Sequence, residues 1–177
     1  MEKIILRAIE LKDCDTIYKY ENDTQSWNDG ISTRFYSKYA IEQYVLTTQN
    51  EDITKTEQCR LMIDVVVANA RKTVGCVDLY DIDFRHSKAG IGIYIDSMYR
   101  GHSYATKTLI ELEKYAFNVL NIHQLYAFVS IKNTISRHLF IKNNYKHTST
   151  LTDWLKINGI YFDVAVYQKN NGKLESK

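Results

Sequence analysis

The segment AGIGIYIDSMYRGHSYATKTLIELEKYAF, residues 89–117, decides the fold. Its first seven residues alternate, with Ile91, Ile93 and Ile95 on one face and Gly90, Gly92 and Tyr94 on the other, as in a strand. Two glycines on one face weaken a strand, which predicts that another group approaches that face closely. Further on the period changes: Ala105, Leu109, Leu112, Ala116 and Leu120 form an apolar stripe at helical spacing. Between the two lies YRGHSYA, residues 99–105, a strand-to-helix turn. The first N–H groups of a helix have no internal acceptor and its N-terminus is positive, so an anion is favoured there. Arg100 adds charge, and Gly101 lets the backbone come close to a ligand. Ser103 stands where a second glycine would ease the turn. A positive φ at Ser103 would bring strain on the order of 1–2 kcal/mol. Its hydroxyl is also a potential donor to the anion.

Outward from this segment, HQLYAFVSI (123–131) reads as the next strand, giving a strand–helix–strand unit with parallel strands and a right-handed crossover. ISRHLFIKNNY (135–145) reads as a short helix, and TDWLKINGIYFDVAVYQ (152–168) as a hairpin turning at Asn158-Gly159. Upstream, KIILRAI (3–9) is a strand, LKDCDTIYKYENDT (11–24) a helix, and SKYAIEQYVLTTQ (37–49) a helix that Ser37 is suited to cap. CRLMIDVVVAN (59–69) and TVGCVDLYDID (73–83) form an expected hairpin with its turn at Ala70–Lys72. The order implies an α+β fold with a mixed, mostly antiparallel sheet and one parallel strand pair. A single domain is expected over residues 1–168, with 169–177 a frayed C-terminal tail.

Bulk properties narrow the function. At 177 residues, 45% hydrophobic and 25% charged, the chain supports one packed core rather than disorder. A net charge of +2 argues against nucleic-acid binding. Cys14, Cys59 and Cys76 share no motif spacing and suit a reduced, cytoplasmic protein. Glu2, Lys3 and Arg7 interrupt any signal-peptide core, and no apolar run reaches membrane-spanning length. The five histidines lack zinc-ligand spacing and no loop resembles a calcium site, so no metal is expected.

Together, AGIGIYI, MYRGHSYATKTLIELEKYAF and HQLYAFVSIKNTISRHLFIKNNY resemble the GCN5-related N-acetyltransferase (GNAT) superfamily. Arg100 matches the first position of its Gln/Arg-x-x-Gly-x-Gly/Ala loop signature and Ala105 the last, whereas Ser103 replaces the central glycine. LRAIELKDCDTIYKYENDTQSW and VGCVDLYDIDFRHSKAGIGIYI resemble the ribosomal-protein and spermidine acetyltransferase branch, so the likeness covers nearly the whole chain. It implies a sheet splayed around a CoA site with helices on both faces, and acetyl-CoA as cosubstrate. It further implies pantetheine contacts at the backbone of Ile93, Tyr94 and Ile95. Amides of Arg100, Gly101, His102, Ser103, Tyr104, Ala105 and Thr106 would receive the pyrophosphate, and Asn133 the pantetheine. His102 replaces the usual lysine of that loop.

For catalysis, attack on a thioester needs a neutral amine, a base to take its proton, and a donor at the developing oxyanion. The resemblance puts Phe140 where spermidine-type enzymes carry a tyrosine acid, and Gly90 where some relatives carry a carboxylate. The first of these counts against spermidine as the acceptor. Asp78 aligns with a glutamate of the spermidine-type pattern and is the first candidate base; Asp81 and Asp83 would share a strand face beyond it, and a chain of waters is the alternative. His86 sits at a turn, where a histidine is usually solvated. Glu21, Asp23, Trp27 and Asp29 lie where the family covers its acceptor, and acids beside an aromatic ring suit a cationic amine. The substrate-binding candidates are Glu21, Trp27 and Asp81. The expected activity is direct acetyl transfer to a primary amine, either a protein N-terminus or a small amine such as a polyamine. The alternative is a non-catalytic acyl-CoA-binding module. Neither nucleic acid nor membrane is an expected partner, and monomer and homodimer both remain open.

Overall fold

A computed structural model describes residues 2–25, 34–50, 52–68 and 70–172. Seven strands form one sheet: β1 (Lys3–Ala8), β2 (Cys59–Val67), β3 (Ala70–Asp83), β4 (Lys88–Ile95), β5 (Gln124–Ser130), β6 (Lys146–Ile157) and β7 (Ile160–Asn170). Their spatial order is β1-β2-β3-β4-β5-β7-β6. Every neighbouring pair is antiparallel except β4 and β5, as the crossover between them requires.

The helices are α1 (Cys14–Glu21), entered through a 3-10 turn at Leu11–Asp13, then α2 (Lys38–Asn50), α3 (Ile53–Thr56), α4 (Tyr104–Asn118) and α5 (Thr134–Lys142). Ser37 caps α2 as expected, its Oγ accepting the Ala40 N–H at 3.1 Å. α4 buries Leu109, Leu112 and Ala116 with Ile63, Val77, Leu79 and Ile91 of the sheet. A second cluster joins Ile17 and Tyr20 of α1 and Ile41 and Val45 of α2 to Met62, Cys76 and Tyr94. An ion-pair knot fixes the α1 end of this arrangement. Arg7 donates to both carboxylate oxygens of buried Asp13, at 2.6 and 2.7 Å, and to buried Asp64 at 2.7 Å.

Several boundaries differ from the sequence reading: β6 begins at Lys146 rather than 152, α1 ends at Glu21 and α5 at Lys142, and three further differences have a visible cause. The chain leaves β2 at Ala68, which has φ 44°, and Ala70–Lys72 belong to β3 and not to the turn. β7 continues to Asn170, because Lys169 is anchored by Glu113 at 2.7 Å and the Asn143 carbonyl at 3.0 Å; the frayed tail does not begin at 169. The stripe on α4 ends before Leu120, since the helix closes at Asn118. The Asn158-Gly159 turn is as expected: both residues have positive φ, 50° and 82°.

β4 and β5 pair only at Lys88↔Gln124, Ala89↔Leu125 and Gly90↔Tyr126. From Ile91 onward β4 has no strand partner on that side among the described residues, and the sheet opens into a cleft. The closest point of the opening is Gly90, where a Cβ would stand 2.3 Å from the Tyr80 ring. The group that approaches the glycine face is therefore Tyr80 of β3.

Candidate active site

The opening is a cleft of about 590 Å3, bounded by β4, the turn into α4, β5 and α5. Ile93, Tyr94 and Ile95 line it from β4; Arg100, Gly101, Ser103, Tyr104, Ala105 and Thr106 line it from the turn; Asn133 and Phe140 line it from α5. His102 does not line it. Its ring stacks on Tyr104 at 5.4 Å and its Nδ1–H donates to the Arg100 carbonyl at 2.9 Å, so it braces the turn from outside the cleft.

The turn has the conformation the sequence raised as a question. Gly101 has φ 83°, and Ser103 has φ 60° and ψ 17°, left-handed and strained for a residue with a Cβ. Ser103 makes no side-chain capping bond. The first intrahelical bond at this end runs from the Lys107 N–H to the Ser103 carbonyl at 3.1 Å, leaving Tyr104, Ala105 and Thr106 N–H without helical acceptors. Among the described residues, none beyond its chain neighbours has an atom within 4 Å of the space a Cβ on Gly101 would take. Three aligned donors, the positive end of a fifteen-residue helix and Arg100 make this a seat for a phosphate-bearing ligand. The Asn133 carboxamide oxygen caps α5, accepting the Ser136 N–H at 3.0 Å, so its NH2 is the part left for a ligand.

Other side chains of the cleft are committed elsewhere. The Tyr94 hydroxyl donates to Asp23 at 2.9 Å and its ring packs on Tyr20 at 4.8 Å, so Tyr94 serves the cleft through its backbone. Arg100 Nε donates to the Ile95 carbonyl at 3.0 Å. Phe140, 3% exposed, packs on Tyr145 and Tyr167 and carries no donor.

A second cavity, about 270 Å3, lies on the side of β3 that faces α1 and α2. Glu21, Tyr36, Tyr44, Arg60, Asp78 and Tyr80 are among its walls. Arg60 is its centre: Nε and Nη2 donate to Asp78 at 2.6 and 3.1 Å, and Nη1 donates to Glu21. Burial works against the Arg60 charge, but the adjacent Asp78 outweighs it and keeps the guanidinium protonated. Arg60 thus ties the carboxylates of Glu21 and Asp78 together in the wall of this cavity. The Cys59 thiol in the same wall is pushed up to about 11, mainly by burial and then by Asp78, which removes it as a nucleophile.

The two cavities share a wall. A Cβ on Gly92, which lines the cleft, would lie 3.6 Å from the Asp78 carboxylate, which lines the second cavity. Of the acceptor-side candidates, Glu21 and Asp78 come together here. Asp81 does not line this cavity: it sits at φ 47° in the irregularity between Tyr80 and Asp83 and is exposed. That irregularity also breaks the expected common face of Asp81 and Asp83. Trp27 and Asp29 lie outside the described residues. Arg60, Tyr44 and Tyr80 were not singled out by sequence reasoning; the cross-strand pair Arg60↔Asp78 is the signal that finds Arg60, once the hairpin register is known.

The family model "Acetyltransferase (GNAT) domain" matches residues 3–146. The spermidine N(1)-acetyltransferase of Vibrio cholerae is 25% identical over 162 residues, 92% of this chain and 90% of that one. The spermidine N(1)-acetyltransferase of Escherichia coli is 26% identical over 156 residues, 88% of this chain and 80% of that one. The crystal structure of the Vibrio cholerae spermidine N-acetyltransferase in complex with CoA and spermine superposes with a TM-score of 0.83 at 23% identity, covering 95% of both chains.

Proposed function

The chain belongs to the GNAT acetyltransferase family, and from that premise we propose that it transfers the acetyl group of acetyl-CoA to a small primary amine of the polyamine type. The observation that carries this reading is the shared wall. A cleft with a phosphate seat lies on one side of it and a cavity walled by the carboxylates of Glu21 and Asp78 on the other. The cleft fits CoA on its own terms: free first-turn amides, the uncovered Gly101 and the unpaired β4 edge are the groups an extended phosphate-bearing ligand needs. Acetyl-CoA supplies the activated acetyl group and a thiol leaving group.

The chain's residues hold the partners and move protons. The amides of Tyr104 to Thr106 with Arg100 bind the pyrophosphate, and Asn133 with the β4 edge holds the pantetheine. Backbone N–H groups of β4 facing the cleft stabilise the developing oxyanion. On the other side, Glu21 and Asp78 attract the cationic amine, and Tyr44 offers a ring face beside Arg60 at 5.8 Å. Asp78 takes the proton that turns the bound ammonium into a nucleophile, with Arg60 fixing the carboxylate's orientation.

Phe140 counts against spermidine itself, whereas the spermidine acetyltransferases among the relatives count for a polyamine acceptor. A panel of spermidine, a monoamine and a short peptide with a free N-terminus, assayed with acetyl-CoA by release of free thiol, separates these acceptors. Turnover is expected to be highest with the polyamine and to fall at least tenfold in Asp78→Asn. CoA binding without thiol release on any amine would instead favour a non-catalytic acyl-CoA module.

A further inference from the structure

Departure of a thiol and attack by an amine leave one proton on the wrong atom: nitrogen must lose it and sulfur must gain it. A hydroxyl can accept one proton while donating another. Phe140 has no hydroxyl, and Tyr94 has its own committed to Asp23. Tyr80 is placed differently. It lines the acceptor-side cavity, yet its ring lies across Gly90, with Cε2, Cζ and Cδ2 at 2.3, 2.5 and 2.8 Å from where a Cβ would be. The ring meets Tyr126 of β5 edge-on at 6.0 Å. Gly90 and Tyr126 are the last paired residues before β4 and β5 part. The ring therefore sits where β4 and β5 part, beside the closed end of the cleft and within the acceptor-side cavity.

Resting on the acetyltransfer reading above, we propose that the Tyr80 hydroxyl is the proton relay between the acceptor amine and the departing thiolate. As the N–C bond forms and the C–S bond breaks, the Tyr80 oxygen takes the surplus proton from nitrogen while its own proton passes to sulfur. Tyr80 ends neutral, and amide and thiol are the products, so no oxidant, reductant or further reactant is involved. Burial, ahead of the neighbouring Tyr126 and Asp81, raises the phenol far above its ordinary value, which suits a group that stays protonated between turnovers. Gly90 has a role in the same device: any side chain there would displace the ring.

The test uses Tyr80→Phe, which keeps the ring against Gly90 and removes only the hydroxyl. Turnover on the best amine of the panel is expected to fall about 100-fold, with CoA affinity by calorimetry unchanged within about threefold. A second measurement does not depend on turnover. In protein labelled at tyrosine 13Cζ, the Tyr80 resonance, assigned by its loss in Tyr80→Phe, should move more with CoA than with desulfo-CoA. Equal movement with both ligands would place the hydroxyl away from the sulfur and overturn the relay. So would full turnover in Tyr80→Phe. A wild-type protein that binds CoA but acetylates no amine would fail at the acetyltransfer reading, a result distinguishable from an active wild type whose Tyr80→Phe variant is equally active.

Discussion

Replacing Ser103 by glycine tests how the turn holds its phosphate. Ser103 sits at φ 60° and ψ 17°. An L-residue there costs about 1–2 kcal/mol that glycine would not. Glycine brings an opposing loss of about 0.5–1 kcal/mol through the greater freedom of the unfolded chain. The net effect is a stabilisation of about 0–1.5 kcal/mol, or a rise in Tm of up to roughly 5 °C for a domain of this size. The strained conformation and the three free amides of the first turn belong to the unliganded protein already. Relieving the strain therefore stabilises the free and bound forms alike. CoA affinity should stay within about threefold of wild type, equivalent to less than about 0.7 kcal/mol. Ser103→Ala is the control, since it removes the hydroxyl but keeps the left-handed strain, and it should leave both Tm and affinity near wild type. Scanning calorimetry and CoA titration of the three proteins check this. A loss of affinity of tenfold or more in both variants would mean that the hydroxyl, and not the backbone, is the phosphate ligand.

Gly90→Ala places a Cβ inside the Tyr80 ring, an overpacking worth about 1–3 kcal/mol; chemical denaturation should show that loss, and Tyr80→Ala in the same chain should restore most of it. Arg60→Gln leaves Glu21 and Asp78 facing each other without their cation. Breaking a buried pair costs about 3–5 kcal/mol. Because these side chains are 13–27% exposed, about 2–3 kcal/mol is expected by urea denaturation, and less than about 1 would show that the cluster is already solvated. Asp13, Asp64 and Asp96 all titrate below the ordinary carboxylate value: burial alone would raise them, but Arg7 for the first two and Lys19 for the third outweigh it. Depressed folded values stabilise the protein above the unfolded carboxylate value of about 4, and that stability is lost as pH falls through the folded values. The urea midpoint should thus change little from pH 7 to 5 and drop towards pH 3; a steep drop between 7 and 5 would point to histidines instead. Phe140→Tyr adds a hydroxyl to the cleft wall and should raise turnover with CoA affinity within about threefold; a fall in turnover would remove Phe140 from the surroundings of the thioester.

The cleft was legible in the sequence because it is local. β4, the turn and the first residues of α4 are contiguous from Ile91 to Thr106, and they act mostly through backbone groups, so alternation, helical period and one glycine were enough to assemble them. The cavity beside it is the opposite case. Glu21 comes from α1, Tyr44 from α2, Arg60 from β2, and Asp78 and Tyr80 from β3, and their meeting depends on register. Counting pairs back from the β2–β3 turn gives Asp64↔Thr73, but then Ile63↔Gly75, because the register shifts by one residue between Ile63 and Asp64. Without that shift Arg60 would stand opposite Val77 and face the wrong side of the sheet. A second irregularity, after Tyr80, turns Asp81 out of the line in which strict alternation would put it.

Gly90 shows what kind of inference lies between these cases. An isolated strand pattern with two glycines on one face says that something comes close, and the expectation was sound without naming the neighbour. Read only as a missing carboxylate, Gly90 marks a lost base and, with Phe140, suggests an inert domain. Its partner across the ladder is Tyr80, in register at Tyr80↔Gly90, and the ring occupies the volume a side chain at residue 90 would have filled. The absent side chain and the present ring are one arrangement: neither residue can change alone without opening or overfilling the apex of the cleft. On the relay proposed above, the departures from the family pattern at these positions are compatible with catalysis, because Tyr80 of β3 carries the hydroxyl that Phe140 of α5 lacks.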